Sequence, residues 1–135
     1  MRFRTRFLAA AVAGLGSGAP STIVGVARGD DLLASTRAAG TMLLGEDAEP
    51  GPLLAAGAVV HACLSLVWST LLVRALPRRH PIACGALAGL AIAGLDLGLV
   101  GRRLHAVAAL PIGPQLADHV AFGVLVGAVV SRSDR

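Results

Sequence analysis

The sequence has few charged residues, no lysine and very few aromatic side chains. Charged residues make up 15% of its 135 residues, whereas hydrophobic residues make up 55%. A water-soluble domain needs more charge than this to cover its surface. Because the charges lie mostly at the ends of long apolar runs, the composition predicts one membrane domain over residues 1–135, with lipid as its solvent.

All twelve basic residues are arginine, a bias that fits a GC-rich coding sequence. The excess of basic over acidic residues raises the question of nucleic-acid binding. However, the arginines flank apolar runs and form no basic face with interleaved aromatic residues. We therefore expect the lipid bilayer as partner and no nucleic acid.

The chain also lacks the common catalytic and metal-binding motifs. Its two cysteines, Cys63 and Cys84, fall at different depths of the predicted spans, so no disulfide is expected and both should be small buried hydrophobic residues. We find no phosphate-binding loop, nucleophile elbow or metalloprotease helix motif. Enzymatic activity has no positive support, and no cofactor or metal is predicted.

Four apolar segments predict an all-α bundle of four transmembrane helices. A span needs about 20 residues, and the segments cover residues 7–27, 53–76, 82–100 and 115–130. The fourth is short unless it begins within the proline-rich stretch 110–114. Pro20, with Gly16 and Gly18, predicts either a kink in the first span or a break of the kind that lines cavities in transporters, and the short loop at 74–81 predicts a tight hairpin of the second and third spans.

An apolar stripe at helical spacing runs through residues 31–45, in the loop after the first span. Leucines and small residues recur there three and four positions apart, and Asp30 or Asp31 can cap the first turn. The segment is too short to span a bilayer. It predicts a short amphipathic helix on the outer membrane surface or over the mouth of the bundle.

Arginine is distributed unevenly between the two ends of the predicted spans. With a cytoplasmic N-terminus, eight arginines lie inside and four outside, in agreement with the positive-inside rule. Both termini are therefore expected in the cytoplasm of a multi-pass protein of the plasma or inner membrane. Alternatively, the first segment is a signal peptide cleaved near residue 27. The inner set is Arg2, Arg4, Arg6, Arg74, Arg78, Arg79, Arg132 and Arg135, and the outer set is Arg28, Arg37, Arg102 and Arg103.

Glycines four residues apart recur in the spans. Lipid supplies no hydrophobic drive between helices, so transmembrane helices associate through small residues that let their backbones touch. The glycine pairs therefore predict a compact bundle. They are Gly14/Gly18, Gly85/Gly89, Gly94/Gly98 and Gly123/Gly127.

Polar side chains within the spans define a candidate site. A charge at the centre of a membrane helix costs about 2.5–3.5 kcal/mol, so Asp96, between Leu95 and Leu97, invites a functional hypothesis. Counting residues from the helix ends brings polar groups of all four spans within roughly 12 Å of one surface. The candidate buried polar site comprises Asp96, His61, His119, Asp118, Ser21 and Ser65.

These residues have structural as well as functional interpretations. Asp96 can pair with a histidine or with Arg103 and lock the helices together, or it can bind a proton or solute. Asp118 can lie near a helix start, where a carboxylate suits the helix dipole. Two histidines with one or two aspartates would form a ligand set for Zn²⁺ or Fe²⁺, but they come from three separate helices and no local spacing supports it.

Several strings resemble a group of small, uncharacterised four-helix membrane proteins of high-GC bacteria. They are residues 19–22 (APST), 35–41 (STRAAGT), 95–98 (LDLG) and 114–123 (PQLADHVAFG). The resemblance implies a bacterial inner-membrane protein. It brings with it no activity and no functional residue.

From the sequence alone, the favoured function is that of an accessory or self-associating membrane component, as a homo-oligomer or within a larger complex. The reason is that 135 residues are few for a complete transporter. The alternative is a small proton-coupled carrier or channel that uses the buried Asp and His side chains. A metal-dependent membrane enzyme is a more remote alternative.

Overall fold

The computed structural model describes residues 2–133, and no strand occurs among them. This confirms the predicted all-α class. Arg135, counted above with the inner arginines, lies outside the described residues. The helices are α1 (Arg2–Gly16), α2 (Ala19–Arg28), α3 (Ala34–Leu44), α4 (Pro50–Ala75), α5 (Pro81–Leu95), α6 (His105–Ala108) and α7 (Ile112–Ser133).

Four helical stretches of the described chain are long and apolar enough to cross a membrane, as predicted. Three of them extend beyond the apolar runs at both ends, whereas the second begins before its run and ends one residue short of it, at Ala75. The last begins at Ile112, so the proline-rich stretch supplies its first turn, where proline is tolerated. The four stretches are Phe3–Arg28, Pro50–Ala75, Pro81–Arg103 and Ile112–Ser133, and their length and composition indicate a multi-pass membrane protein.

Helix α7 holds the bundle together. It packs most closely against α5 and also contacts α1, α2 and α4, while α1 lies between α4 and α7. Although a short loop joins α4 to α5, the main packing partner of α5 is α7. The predicted tight hairpin of the second and third spans is therefore wrong, because glycine contacts determine which helix α5 meets.

Four glycines form the contact between α5 and α7. A Cβ atom added to Gly123 would overlap the carbonyl oxygen of Gly85, and one added to Gly89 would overlap the carbonyl oxygen of His119. Gly127 meets the backbone of Pro81 in the same way. The two backbones are therefore in direct contact, and no larger residue fits between them.

The other glycine pairs behave differently. A Cβ added to Gly14 would lie 3.1 Å from the hydroxyl of Ser65, so α1 and α4 are close there. Nothing described lies within 4 Å of a Cβ added to Gly18, Gly94 or Gly98. Gly94 is five residues beyond Gly89, about 140° round the helix, so the pair Gly94/Gly98 faces away from α7.

The helix in the first loop is present, but its predicted amphipathic character is not confirmed. It covers Ala34–Leu44 where residues 31–45 were predicted, and its buried residues are Ala38, Gly40 and Thr41. Gly40 contacts the backbone carbonyl of Leu53 on α4, whereas the leucines of the predicted stripe are exposed, Leu43 by 59%. Close backbone approach to α4, and not the leucine pattern, sets the buried face.

The apolar core fills the end of the bundle that carries the first residues of α1 and the last residues of α7. Its buried members include Ala13 and Val126, both 0% exposed. At the opposite end the helices leave a cavity. Cys63 is exposed and Cys84 is half-buried, so the expected burial of both cysteines is wrong. The core residues are Ala9, Ala13, Leu72, Ile92, Phe122, Val126, Val129 and Val130.

Candidate functional site

The first span is broken in the middle. Helix α1 ends at Gly16 and α2 begins at Ala19, and Pro20 has no N–H with which to continue the α-helical ladder. The break leaves carbonyl groups at the end of α1 and amides at the start of α2 without partners in their own helix. Since lipid cannot supply hydrogen bonds, other side chains must do so. Of the kink and the break that the sequence leaves open for the first span, the structure has the break.

Two residues of the candidate site hydrogen-bond to the broken backbone. The Nε2–H of His61 on α4 donates to the carbonyl oxygen of Gly14 at 2.6 Å. On the other side of the break, the backbone N–H of Ser21 donates to Oδ1 of Asp118 at 2.9 Å. The two neighbouring spans therefore supply the partners that the first span lacks.

Asp118 lies at a helix start, but not at the start of its own helix. Helix α7 begins six residues earlier, at Ile112, so the dipole of α7 stabilises the Asp118 carboxylate only weakly. Ser21 is the third residue of α2, and its N–H is one of the free amides at the positive end of that helix. The carboxylate thus caps a helix that is 97 residues away in sequence.

Asp96 and His119 form a pair between α5 and α7. Nε2 of His119 lies 3.4 Å from Oδ2 of Asp96, and the two side chains are 23% and 25% exposed. Asp96 begins a π-helical turn, Asp96–Val100, in which the N–H of Gly101 donates to the Asp96 carbonyl oxygen. Such turns are rare and frequently occur at functional sites.

The second ring nitrogen of His119 limits where a proton can be held. Nδ1 lies 2.8 Å from the carbonyl oxygen of Gln115, and because a carbonyl can only accept, Nδ1 carries a hydrogen. Nε2 then faces Asp96 with a lone pair unless it too is protonated. An unprotonated Nε2 and a carboxylate would repel each other, so the pair is stable when it holds one proton, on either partner.

A cavity of about 670 Å³ lies between the four spans at the end away from the apolar core. The core residues Ile92 and Phe122, with Trp68 packed against them, border the cavity, and residues of α3 and α6 also line it. All six residues of the candidate polar site line it. They are Ser21, His61, Ser65, Asp96, Asp118 and His119.

The charged groups that line the cavity are unusual for so basic a chain. Four are aspartates, whereas none of the described arginines lines it. The aspartates do not converge on one point, since no three His, Cys, Asp or Glu side chains of residues 2–133 come close enough to hold a metal ion. The lining aspartates are Asp30, Asp31, Asp96 and Asp118.

The sequence does not reveal some of the groups that complete the site. The carbonyl oxygens of Gly14 and Gln115 are backbone atoms, which leave no mark on side-chain patterns. Trp68, by contrast, is visible in the sequence, because it shares one face of the second span with His61, Ser65 and Ser69 and is therefore expected to point into the bundle. Asp30 and Asp31 were expected only as caps of the loop helix, but both also border the cavity.

Comparisons with protein families, with curated proteins and with solved structures gave no match to this chain.

Proposed function

We propose that this chain is a small proton-coupled carrier, in which the cavity is the solute site and the Asp96–His119 pair is the proton site. One observation carries the proposal: the pair lies in a cavity bordered by all four spans. Intramembrane ionisable groups are rare and commonly mark ion pathways and proton relays. A protein that served only for packing would have no need of this cavity.

The broken first span supports the same function. In carriers, non-helical backbone at membrane depth occurs where it lines a cavity. Gly18, Ser21 and Thr22 at the break all border this cavity.

We further propose a bacterial inner-membrane location with both termini in the cytoplasm. The positive-inside rule supports this orientation. The core end of the bundle carries Arg4, Arg74, Arg79 and Arg132, whereas five acidic residues lie between α2 and α4 at the cavity end. In that orientation the cavity faces the outside.

The carrier is tested in liposomes of phosphatidylethanolamine and phosphatidylglycerol that enclose a pH-sensitive dye. Cationic, neutral, zwitterionic and anionic solutes are added in turn to the outside. We expect one class to change the internal pH through wild-type protein, and Asp96→Asn and His119→Gln to abolish that change. Asp47→Asn, in the exposed turn before α4, is the matched control and should behave as wild type. If no class moves protons, the proposal is wrong.

Self-association is a second candidate function, favoured by the outward face of α5. Gly94 and Gly98 have no described atom within 4 Å of an added Cβ, although such pairs let transmembrane helices approach closely. A second copy of the chain would place its own pair there. Crosslinking in liposomes should then yield a dimer that Gly94→Leu removes, and a monomer at all protein-to-lipid ratios would reject the idea.

A further inference from the structure

The cavity's charge indicates what kind of solute it takes. Its lining includes four aspartates and none of the described arginines. Asp31 is paired with Arg37, which does not itself line the cavity. The proton shared by Asp96 and His119 neutralises the charge of Asp96. Exposed Asp30 and half-buried Asp118 remain, so the cavity has an excess of negative charge. The attraction for a cation is stronger at Asp118, because the surrounding spans lower the local dielectric constant there.

The apolar part of the lining indicates that the cation is organic. Val60, Leu64 and Ile92 border the cavity together with the rings of Trp68 and Phe122. The indole nitrogen of Trp68 is buried and has no hydrogen-bond partner, so the part of Trp68 that borders the cavity is carbon. Alkyl groups suit such surfaces, and a cation over an aromatic face is attracted to it.

The volume of the cavity and the wide spacing of its carboxylates agree with an organic cation as ligand. A volume of about 670 Å³ falls within the range of roughly 300–1,000 Å³ that is typical of small-molecule pockets. A metal ion would need converging ligands, which residues 2–133 do not provide. Scattered carboxylates among apolar groups suit one diffuse positive charge better.

We propose that the cavity binds small organic cations of the alkylammonium class, with Asp118 and Asp96 supplying the negative charge and Trp68 the aromatic face. This proposal rests on the cavity being the solute site of the proposed carrier. When the cation approaches Asp96, the proton of the Asp96–His119 pair leaves to water. One positive charge then replaces another, and the net charge of the cavity is unchanged.

The test uses the fluorescence of Trp68, the only tryptophan in a chain without tyrosine. Full-length protein in dodecyl maltoside, an uncharged detergent, is titrated with choline and with 3,3-dimethylbutan-1-ol, which has the same shape without the charge. Choline has no dissociable ammonium proton, so any proton released into a weakly buffered solution comes from the protein. We expect saturable quenching by choline alone, with release of about one proton per chain.

Variants identify the carboxylates. Asp118→Asn and Asp96→Asn should each weaken choline binding at least about tenfold, and proton release should vanish in Asp96→Asn. Asp47→Asn should bind like wild type. The comparison of choline with its neutral analogue uses wild-type protein only, so it stands even if a variant folds poorly.

Three results would overturn the inference: equal binding of choline and the alcohol, tighter binding of the anion 3,3-dimethylbutyrate, or no response to any of them. The carrier hypothesis fails separately. Choline binding without solute-driven pH change in liposomes would reject the carrier and keep the ligand class. A pH change driven only by neutral or anionic solutes would keep the carrier and reject organic cations as its ligand class.

Discussion

Asp118, on the last span, accepts a hydrogen bond from the backbone amide of Ser21, the third residue of the helix that follows the break in the first span. This long-range cap fixes α2 against α7. Replacing Asp118 with Ala leaves a free amide at the start of α2, and we expect the free energy of unfolding to fall by about 1–2 kcal/mol. Unfolding by SDS in dodecyl maltoside micelles measures the change.

Two substitutions control for charge in this experiment. Asp118→Asn keeps an acceptor oxygen, so it should lose less stability than Asp118→Ala. Asp47→Ala removes an exposed carboxylate from a turn and should stay within about 0.5 kcal/mol of wild type. Equal losses in Asp118→Asn and Asp118→Ala would mean that charge, and not the cap, stabilises α2.

His61 satisfies the other side of the break through its bond to the Gly14 carbonyl oxygen. We expect His61→Ala to destabilise the bundle by about 1 kcal/mol, within the range known for polar contacts between membrane helices. His61→Gln retains an N–H donor and should recover part of this loss. Cys63→Ala, on an exposed position two residues away, is the control. If His61→Ala is neutral, the carbonyl does not depend on His61.

The glycine contact between α5 and α7 predicts that two glycine-to-alanine substitutions differ strongly in their effect on the free energy of unfolding. In Gly123→Ala the new methyl group meets the Gly85 carbonyl oxygen, and we expect a loss of about 1–3 kcal/mol from overpacking. Gly94→Ala adds the same methyl group where nothing described lies within 4 Å. There, lower backbone entropy in the unfolded chain should leave stability equal or higher by up to about 1 kcal/mol. Similar effects of both on SDS unfolding would contradict the close α5–α7 approach.

Asp31 should make stability depend on pH in the acid range. Its pKa lies below the ordinary value of 3.8, because its carboxylate accepts the N–H of Leu33 and pairs with Arg37. A carboxyl group whose pKa is lower in the folded state stabilises the fold above its unfolded pKa, and this contribution is lost as the pH falls through the folded pKa. The thermal midpoint of wild type should therefore exceed that of Asp31→Asn by a constant amount above about pH 5. The difference should shrink below pH 4, and a difference that is unchanged down to pH 2 would exclude this contribution.

The four spans could be predicted from the sequence because lipid requires long apolar helices, and apolar length is visible in the residues themselves. The level of Asp96 and His119 was also predictable, since a helix rises about 1.5 Å per residue. The sequence could not predict which histidine Asp96 meets, because His61 and His119 are at similar depths. That choice depends on how α5 and α7 pack.

Two features could not be predicted from the sequence, for physical reasons. The role of His61 arises from a free backbone carbonyl, and such a carbonyl exists only once the helix has broken at Ser17 and Gly18. The pairs Gly85/Gly89 and Gly94/Gly98 have the same spacing, yet only the first meets α7. The four-residue spacing of glycines shows that a helix face carries no bulky side chains, but it does not show which neighbouring helix that face contacts.

The glycine contacts also have a mechanical consequence. Helices α5 and α7 touch backbone to backbone, and α3 and α4 do so at Gly40 and Gly57, so neither pair can slide or twist internally without atoms overlapping. Each pair is therefore stiff, and α1 lies between them. Any widening or narrowing of the space around Asp96 must come from tilting one pair against the other, with the interrupted first span as the flexible joint.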